Sequence, residues 1–244
     1  MSWEVRTMQS KTSCFNGTLF RKNLTRFWPL WGLASFIGAL FPLAVLLDMV
    51  HRGWHSFSGP EFTQMYYNAV SAVPVISLVY AALCAMAVWG YLHNTRSVGL
   101  MHTLPIRREG LFLTNFLSGL SMTLIPYAVT GVLCVVVSLC GGAFDARGLA
   151  VTVLAVLGES FFYFSSATFV CFITGNAFAM PALYALLHFL AVLLDWLISS
   201  FAQGFIFGFS THYTGVAEWL SPTVYLVSRV HPDCLLYTSD AADE

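Results

Sequence analysis

Residues 27–49 read FWPLWGLASFIGALFPLAVLLDM, with no charged side chain before Asp48. As a helix this run reaches about 35 Å, more than the roughly 30 Å of a bilayer's hydrocarbon core. Its apolar residues are continuous. A membrane barrel strand would instead alternate polarity over about ten residues. Trp28 and Trp31, with Pro29 between them, suit the start of a span, because amphipathic aromatic rings settle at the headgroup level.

Four more runs of this kind follow, over residues 69–92, 111–140, 149–174 and 177–199. Whole-chain composition agrees. Of the 244 residues, 57% are hydrophobic and 9% charged, and the mean hydropathy is +0.72. Soluble domains average about 45–50% apolar and about 25% charged. Because a bilayer requires backbone hydrogen bonds to close within each spanning segment, the expected fold is all-α, a polytopic membrane helical bundle with five transmembrane helices present. The third run is longer than one crossing needs. Its first turns are expected in the interface, and Pro126 is expected to kink it.

Basic residues orient the chain. Arg6, Lys11, Arg21, Lys22 and Arg26 precede the first run, and Arg96, Arg107 and Arg108 lie between the second and third, eight of the 11 in all. Short positively charged loops stay cytoplasmic, so the N-terminus is expected inside. Arg52, Arg147 and Arg229 fall on the opposite side. Residues 1–26 form a cytoplasmic lead-in, in which Phe15, Leu19, Phe20 and Leu24 interleave with Arg21, Lys22 and Arg26. That mixture is expected of a helix lying on an anionic membrane surface; a flank that only fixes topology is the simpler alternative. With five basic residues and no small-residue cleavage site, no signal peptide is expected there. The acceptor patterns Asn16-Gly17-Thr18 and Asn23-Leu24-Thr25 are set aside, since glycosylation needs the lumenal side.

Catalytic and metal signatures are missing. The sequence holds no GxxxxGK[ST] phosphate loop, no HExxH and no GxSxG, so no catalytic residue is assigned and the chain is not expected to hydrolyse ATP alone. His51 and His55 have i, i+4 spacing, but a metal site would need a third ligand and Gly53 between them weakens a helix; no metal site is expected. Of the six cysteines, Cys84, Cys134, Cys140 and Cys171 fall in or at the ends of runs and read as small packing residues. No nucleic-acid partner is expected.

Glu159 stands mid-way along the fourth run, in Gly158-Glu159-Ser160-Phe161-Phe162-Tyr163-Phe164-Ser165-Ser166. A carboxylate at mid-bilayer costs about 2.5–3.5 kcal/mol on insertion scales. Ser160, Tyr163 and Ser166 extend it into a polar stripe. Such a stripe either lines a substrate or gating pathway, or uses a protonated or hydrogen-bonded glutamate to hold helices together. Asp48 and Asp195 are expected near outer span ends, within reach of water.

Between the second and third runs lies His93-Asn94-Thr95-Arg96-Ser97-Val98, then Met101-His102-Thr103-Leu104-Pro105-Ile106-Arg107-Arg108-Glu109-Gly110. Pro105 stiffens a turn, and Arg107 and Arg108 offer fixed cations for carboxylates on a partner. This string resembles the first cytoplasmic loop of bacterial ABC transporter permeases of the type 2 exporter class, and the layout of roughly residues 1–230 is similar to theirs.

The resemblance implies that loop 93–110 is a coupling helix docking on an ATPase subunit through Leu104, Pro105, Arg107, Arg108 and Glu109. ATP and Mg would be bound by that partner and no cofactor by this chain. It further implies a second permease subunit, as homo- or heterodimer, and the bacterial cytoplasmic (inner) membrane. Members have six spans, with an external segment before the sixth. Residues 200–233, which contain Gly204 and Gly208, match that external or re-entrant segment. The last residues, 234–244 (CLLYTSDAADE), resemble a translated sequencing adapter. Authentic sequence is then expected to end near Asp233, before a sixth span; leaving out Asp240, Asp243 and Glu244 turns the formal net charge from −1 to +2.

The function expected is that of the membrane-spanning permease subunit of an ATP-driven exporter, moving a lipid, peptide or hydrophobic drug. The alternatives are an ion-coupled secondary transporter with Glu159 as its ion site, or a non-transporting membrane sensor or immunity protein.

Overall fold

The structure, a computed structural model, describes residues 15–53, 72–93, 108–141, 146–206, 217 and 220–224. All regular structure among these is helical. A short helix α1 (Gly17–Arg26) precedes five long ones: α2 (Trp28–Arg52), α3 (Val73–Trp89), α4 (Arg108–Cys140), α5 (Ala146–Ile173) and α6 (Ala179–Phe205). A 3-10 turn, Gly90–His93, extends α3. Each of the five is long and apolar enough to cross a membrane, as in a multi-pass membrane protein.

Local chemistry sets the boundaries. Asn16 caps α1: its side-chain Oδ1 accepts from the Thr18 and Leu19 backbone N–H groups at 3.1 and 3.2 Å, two donors that a helix start leaves orphaned. Pro29 and Pro74 lie in the first turns of α2 and α3, where the missing N–H costs nothing. α2 ends at Gly53, whose φ of 91° is one that side chains with a Cβ rarely adopt. α4 is a continuous 33-residue helix through Pro126, longer than a single crossing requires.

α4 is the hub. It packs against α1, α2, α3 and α5, while α3 also packs on α5 and α6 packs chiefly on α5. Directions follow from which residues meet. Along α2 and α4, Gly38 approaches Thr130 and Met49 approaches Gly141, so the two run parallel. α3 runs against α4, with Tyr80 OH donating to the Met122 carbonyl at 2.8 Å and Asn115 Nδ2 donating to Tyr91 OH at 3.3 Å. α5 also opposes α4: Phe164 lies on Gly119 and Val153 on Gly131. One end of the bundle therefore holds α1 and the starts of α2 and α4; the other holds the end of α2 and the start of α3.

Small residues let these helices approach closely. Ala81, Ala82, Cys84 and Ala85 of α3 are buried in one cluster with Trp89, Met122, Phe164 and Ala167, the packing expected where lipid supplies no hydrophobic drive between helices. Gly119 is one such approach: an added Cβ there would overlap the Phe164 ring and press on Val88. Cys84, Cys134 and Cys171 are buried and Cys140 is exposed.

Two sequence expectations are refined. The fifth apolar helix does not stop near Ser199 but runs to Phe205, so the segment beginning at residue 200 starts as helix. Asp195 consequently stands ten residues inside the helix end and not at it. The expected end of authentic sequence near Asp233 and residues 234–244 lie outside the described residues.

Replacing Gly119 by Leu forces α4 from α5 and is expected to cost about 1–3 kcal/mol. Thermal unfolding of the purified chain measures this as a lowered Tm. Gly158→Ala, where an added Cβ meets nothing within 4 Å, leaves Tm nearly unchanged.

Candidate functional site

Polar side chains gather in two places. At the α1 end, Asn23 Nδ2 donates to Asn115 Oδ1 at 2.9 Å and to Ser118 Oγ at 3.0 Å. The Asn16 backbone N–H donates to Thr114 Oγ1 at 3.1 Å, and the Trp31 indole N–H to the Leu24 carbonyl at 3.0 Å. Thr114, Asn115 and Ser118 are buried. The bonds to Thr114, Asn115 and Ser118 clamp α1 onto α4, and the Trp31 bond ties it to α2. They turn Arg21, Lys22 and Arg26 outward, where all three are exposed, and the Arg26 guanidinium sits 5.3 Å from the centroid of Phe27. α1 is thus an amphipathic helix fixed to the bundle. Asn23, set aside as a glycosylation acceptor, is its main anchor.

Arg108 and Glu109 form the exposed first turn of α4, directly before the clamp. Leu104, Pro105 and Arg107 lie outside the described residues. The end of the loop is therefore continuous with the hub helix.

The second place is the α5 stripe. Glu159, Ser160 and Tyr163 are buried, and Ser166 is partly so. Ser160 donates to its own helix, at the Val156 carbonyl, 2.7 Å. Ser166 donates to the Tyr163 carbonyl at 2.9 Å and also reaches His188 Nε2 on α6 at 3.2 Å. Tyr184 OH donates to the same Tyr163 carbonyl at 3.3 Å. The stripe is one face, as its spacing predicts, but it is not uniform: the serines are satisfied, whereas Glu159 Oε1 and Tyr163 OH have no hydrogen-bond partner. Tyr127 of α4 and Tyr163 both lie within electrostatic reach of Glu159. Tyr163 OH stands beside Thr223 without hydrogen-bond geometry.

His188, fully buried, is the residue that sequence reading missed. Its ring lies 4.6 Å from Tyr184 edge-on and 5.3 Å from Tyr163, and its Nδ1 has no partner. Met180, Tyr184 and His188 are the buried residues of α6; their i, i+4, i+8 spacing in an otherwise apolar run was the available signal. Between α3 and α4, Ser77 Oγ and Tyr127 OH share a hydrogen bond of 2.7 Å.

Among the described residues no group of three His, Cys, Asp or Glu side chains is placed to hold a metal ion. His51 is exposed at the end of α2, and His55 lies outside the described residues. Comparison with models of known families, with curated proteins and with solved structures found no match.

Two substitutions separate structural from other roles along the stripe. His188→Ala removes a fully buried ring and is expected to destabilise by about 2–4 kcal/mol, seen as a lowered Tm; Phe189→Ala, on the exposed side of α6, does much less. Glu159→Leu is expected to leave Tm unchanged or raised, since an unpartnered buried polar atom is lost without breaking a hydrogen bond. A marked fall in Tm would identify Glu159 as helix-to-helix glue.

Proposed function

We propose that this chain is the membrane-spanning permease subunit of an ATP-driven exporter in the bacterial cytoplasmic membrane, with its N-terminus cytoplasmic. It pairs with a separate ATP-hydrolysing subunit and a second permease subunit, and moves a lipid, a peptide or a hydrophobic drug. The observation that carries the reading is the continuity between the loop string and the hub helix. Arg108 and Glu109, which end the string resembling a coupling helix, are the first turn of α4. α4 in turn touches α1, α2, α3 and α5. A helix is stiff along its axis, so a push on the loop moves the element against which most of the bundle packs. The clamp through Asn23, Asn115 and Ser118 makes α1 travel with it.

Glu159 favours a second reading, an ion-coupled carrier. Its buried carboxyl oxygen without a partner is the kind of intramembrane group that binds a proton or cation during transport.

The two differ in their energy source. Purified with ATP-binding subunits from the same genome and reconstituted, the chain is expected to raise ATP hydrolysis. The double variant Arg107→Glu, Arg108→Glu is expected to cut subunit affinity by at least about tenfold, because each charge-assisted contact contributes about 1.5–3 kcal/mol. Unchanged binding and turnover would remove the exporter reading. Flux that stops with an uncoupler, ignores ATP and is lost in Glu159→Gln would establish the carrier instead.

A further inference from the structure

α2 and α3 each pack on α4 rather than chiefly on one another, and the gap between them opens into a cavity of about 510 Å³. Ile37 of α2 and Ile76 of α3 form its lips, exposed at 59% and 58%. Pro126, Cys134 and Val156, all buried, form its floor. Ala34, Gly38 and Gly131 keep the walls thin. The volume falls within the roughly 300–1,000 Å³ of ligand pockets.

The polar groups in the walls already have partners, and the remaining lining is apolar. Tyr80 OH donates to the Met122 carbonyl, Tyr127 OH is bonded to Ser77, and Thr130 donates to the Pro126 carbonyl at 2.9 Å. Thr152 and Cys134 are not free either. Apolar cavities of this kind stay dry, and an empty one forfeits the dispersion contacts of its lining. Every helix lining it is long and apolar enough to be in the bilayer, so the mouth between α2 and α3 faces lipid tails.

We infer that this cleft is a lateral binding site for one hydrocarbon chain of a membrane lipid, entering between Ile37 and Ile76. The site requires only that α2 to α5 span the membrane and is independent of whether the chain exports anything. An acyl chain matches what the walls provide: it needs no hydrogen bonds, it is flexible enough to follow an irregular cleft, and it is already present at the mouth at high local concentration.

The test uses the full chain in vesicles of phosphatidylcholine and phosphatidylglycerol doped with a phospholipid bearing a mid-chain diazirine. After irradiation, adducts are mapped by mass spectrometry. Labelling of Ile37, Ile76 and Val153 is expected to exceed by several-fold that of Ile198 on α6, which is 66% exposed and so equally open to bulk lipid. Ala34→Phe and Val153→Phe, which fill the cavity from α2 and α5, are expected to remove the excess. Leu33→Phe, on the exposed face of α2, leaves it unchanged. Labelling that merely tracks exposure, or an excess that survives either filling variant at unaltered Tm, would overturn the site. Should both filling variants fail to fold, the map of the unsubstituted chain decides by itself.

Discussion

A polar group without a partner in hydrocarbon costs several kcal/mol, since no water is there to replace the lost bond. This constraint governs the backbone, which closes its hydrogen bonds within each helix, and it governs the hydroxyls as well. Ser35 donates to the Trp31 carbonyl, Ser121 to Leu117, Ser160 to Val156 and Thr174 to Val170, each at 2.7 Å and one turn back. A serine or threonine in such a helix can satisfy itself, although the Ser165 and Thr168 hydroxyls of α5 have no partner. It can face lipid or a neighbour with equal ease and says little about function.

Longer polar side chains have no such recourse, and besides the tyrosine bonds between α3 and α4 they mark two places where the helices depend on one another. Asparagine and tyrosine meet at the α1 end, where Asn23, Asn115, Ser118 and Tyr91 form a connected set. Tyrosine, serine and histidine meet between α5 and α6, where satisfaction is incomplete: Tyr163 OH and His188 Nδ1 are left over, as is Glu159 Oε1 further along α5. The first set fixes an interfacial helix to the hub. The second holds α6 to the bundle along a narrow stripe, and only 11% of the most apolar window of α6 is buried, against 56% for α3. A tightly packed centre of α3, α4 and α5 is thus flanked by two helices, α2 and α6, that present most of their surface outward.

Much of this was readable in advance, for a reason that differs from residue to residue. All five runs were visible because about twenty mostly apolar residues in a row are hard to dissolve in water whatever their neighbours. Glu159 was visible because a lone acid in such a run is costly wherever it points. His188 was not, because one imidazole among leucines can as well face an interface, and only its contacts with Tyr163, Tyr184 and Ser166 single it out. The anchoring role of Asn23 was not visible either, because a three-residue pattern carries no information about a partner 92 positions away. The helix that runs on to Phe205 was cut short because the chain turns to Ser199, Ser200 and Gln203 there, although serine can donate back into its own helix, as Ser200 does to the Trp196 carbonyl at 2.7 Å.

The sequence by itself determined the five helices that are long and apolar enough to span among the described residues, their approximate bounds and the clustering of basic residues, because each is set by the transfer of a contiguous segment between water and lipid. Which helix is the hub, that Gly119 must be small to admit Phe164, that α1 is clamped rather than loosely laid on the surface, and that a lipid-sized cleft remains between α2 and α3 were decided only by the tertiary structure. Those features depend on the shapes of side chains far apart along the chain, and a lipid-soluble helix carries almost no polar pattern to say which of its faces a neighbour will cover.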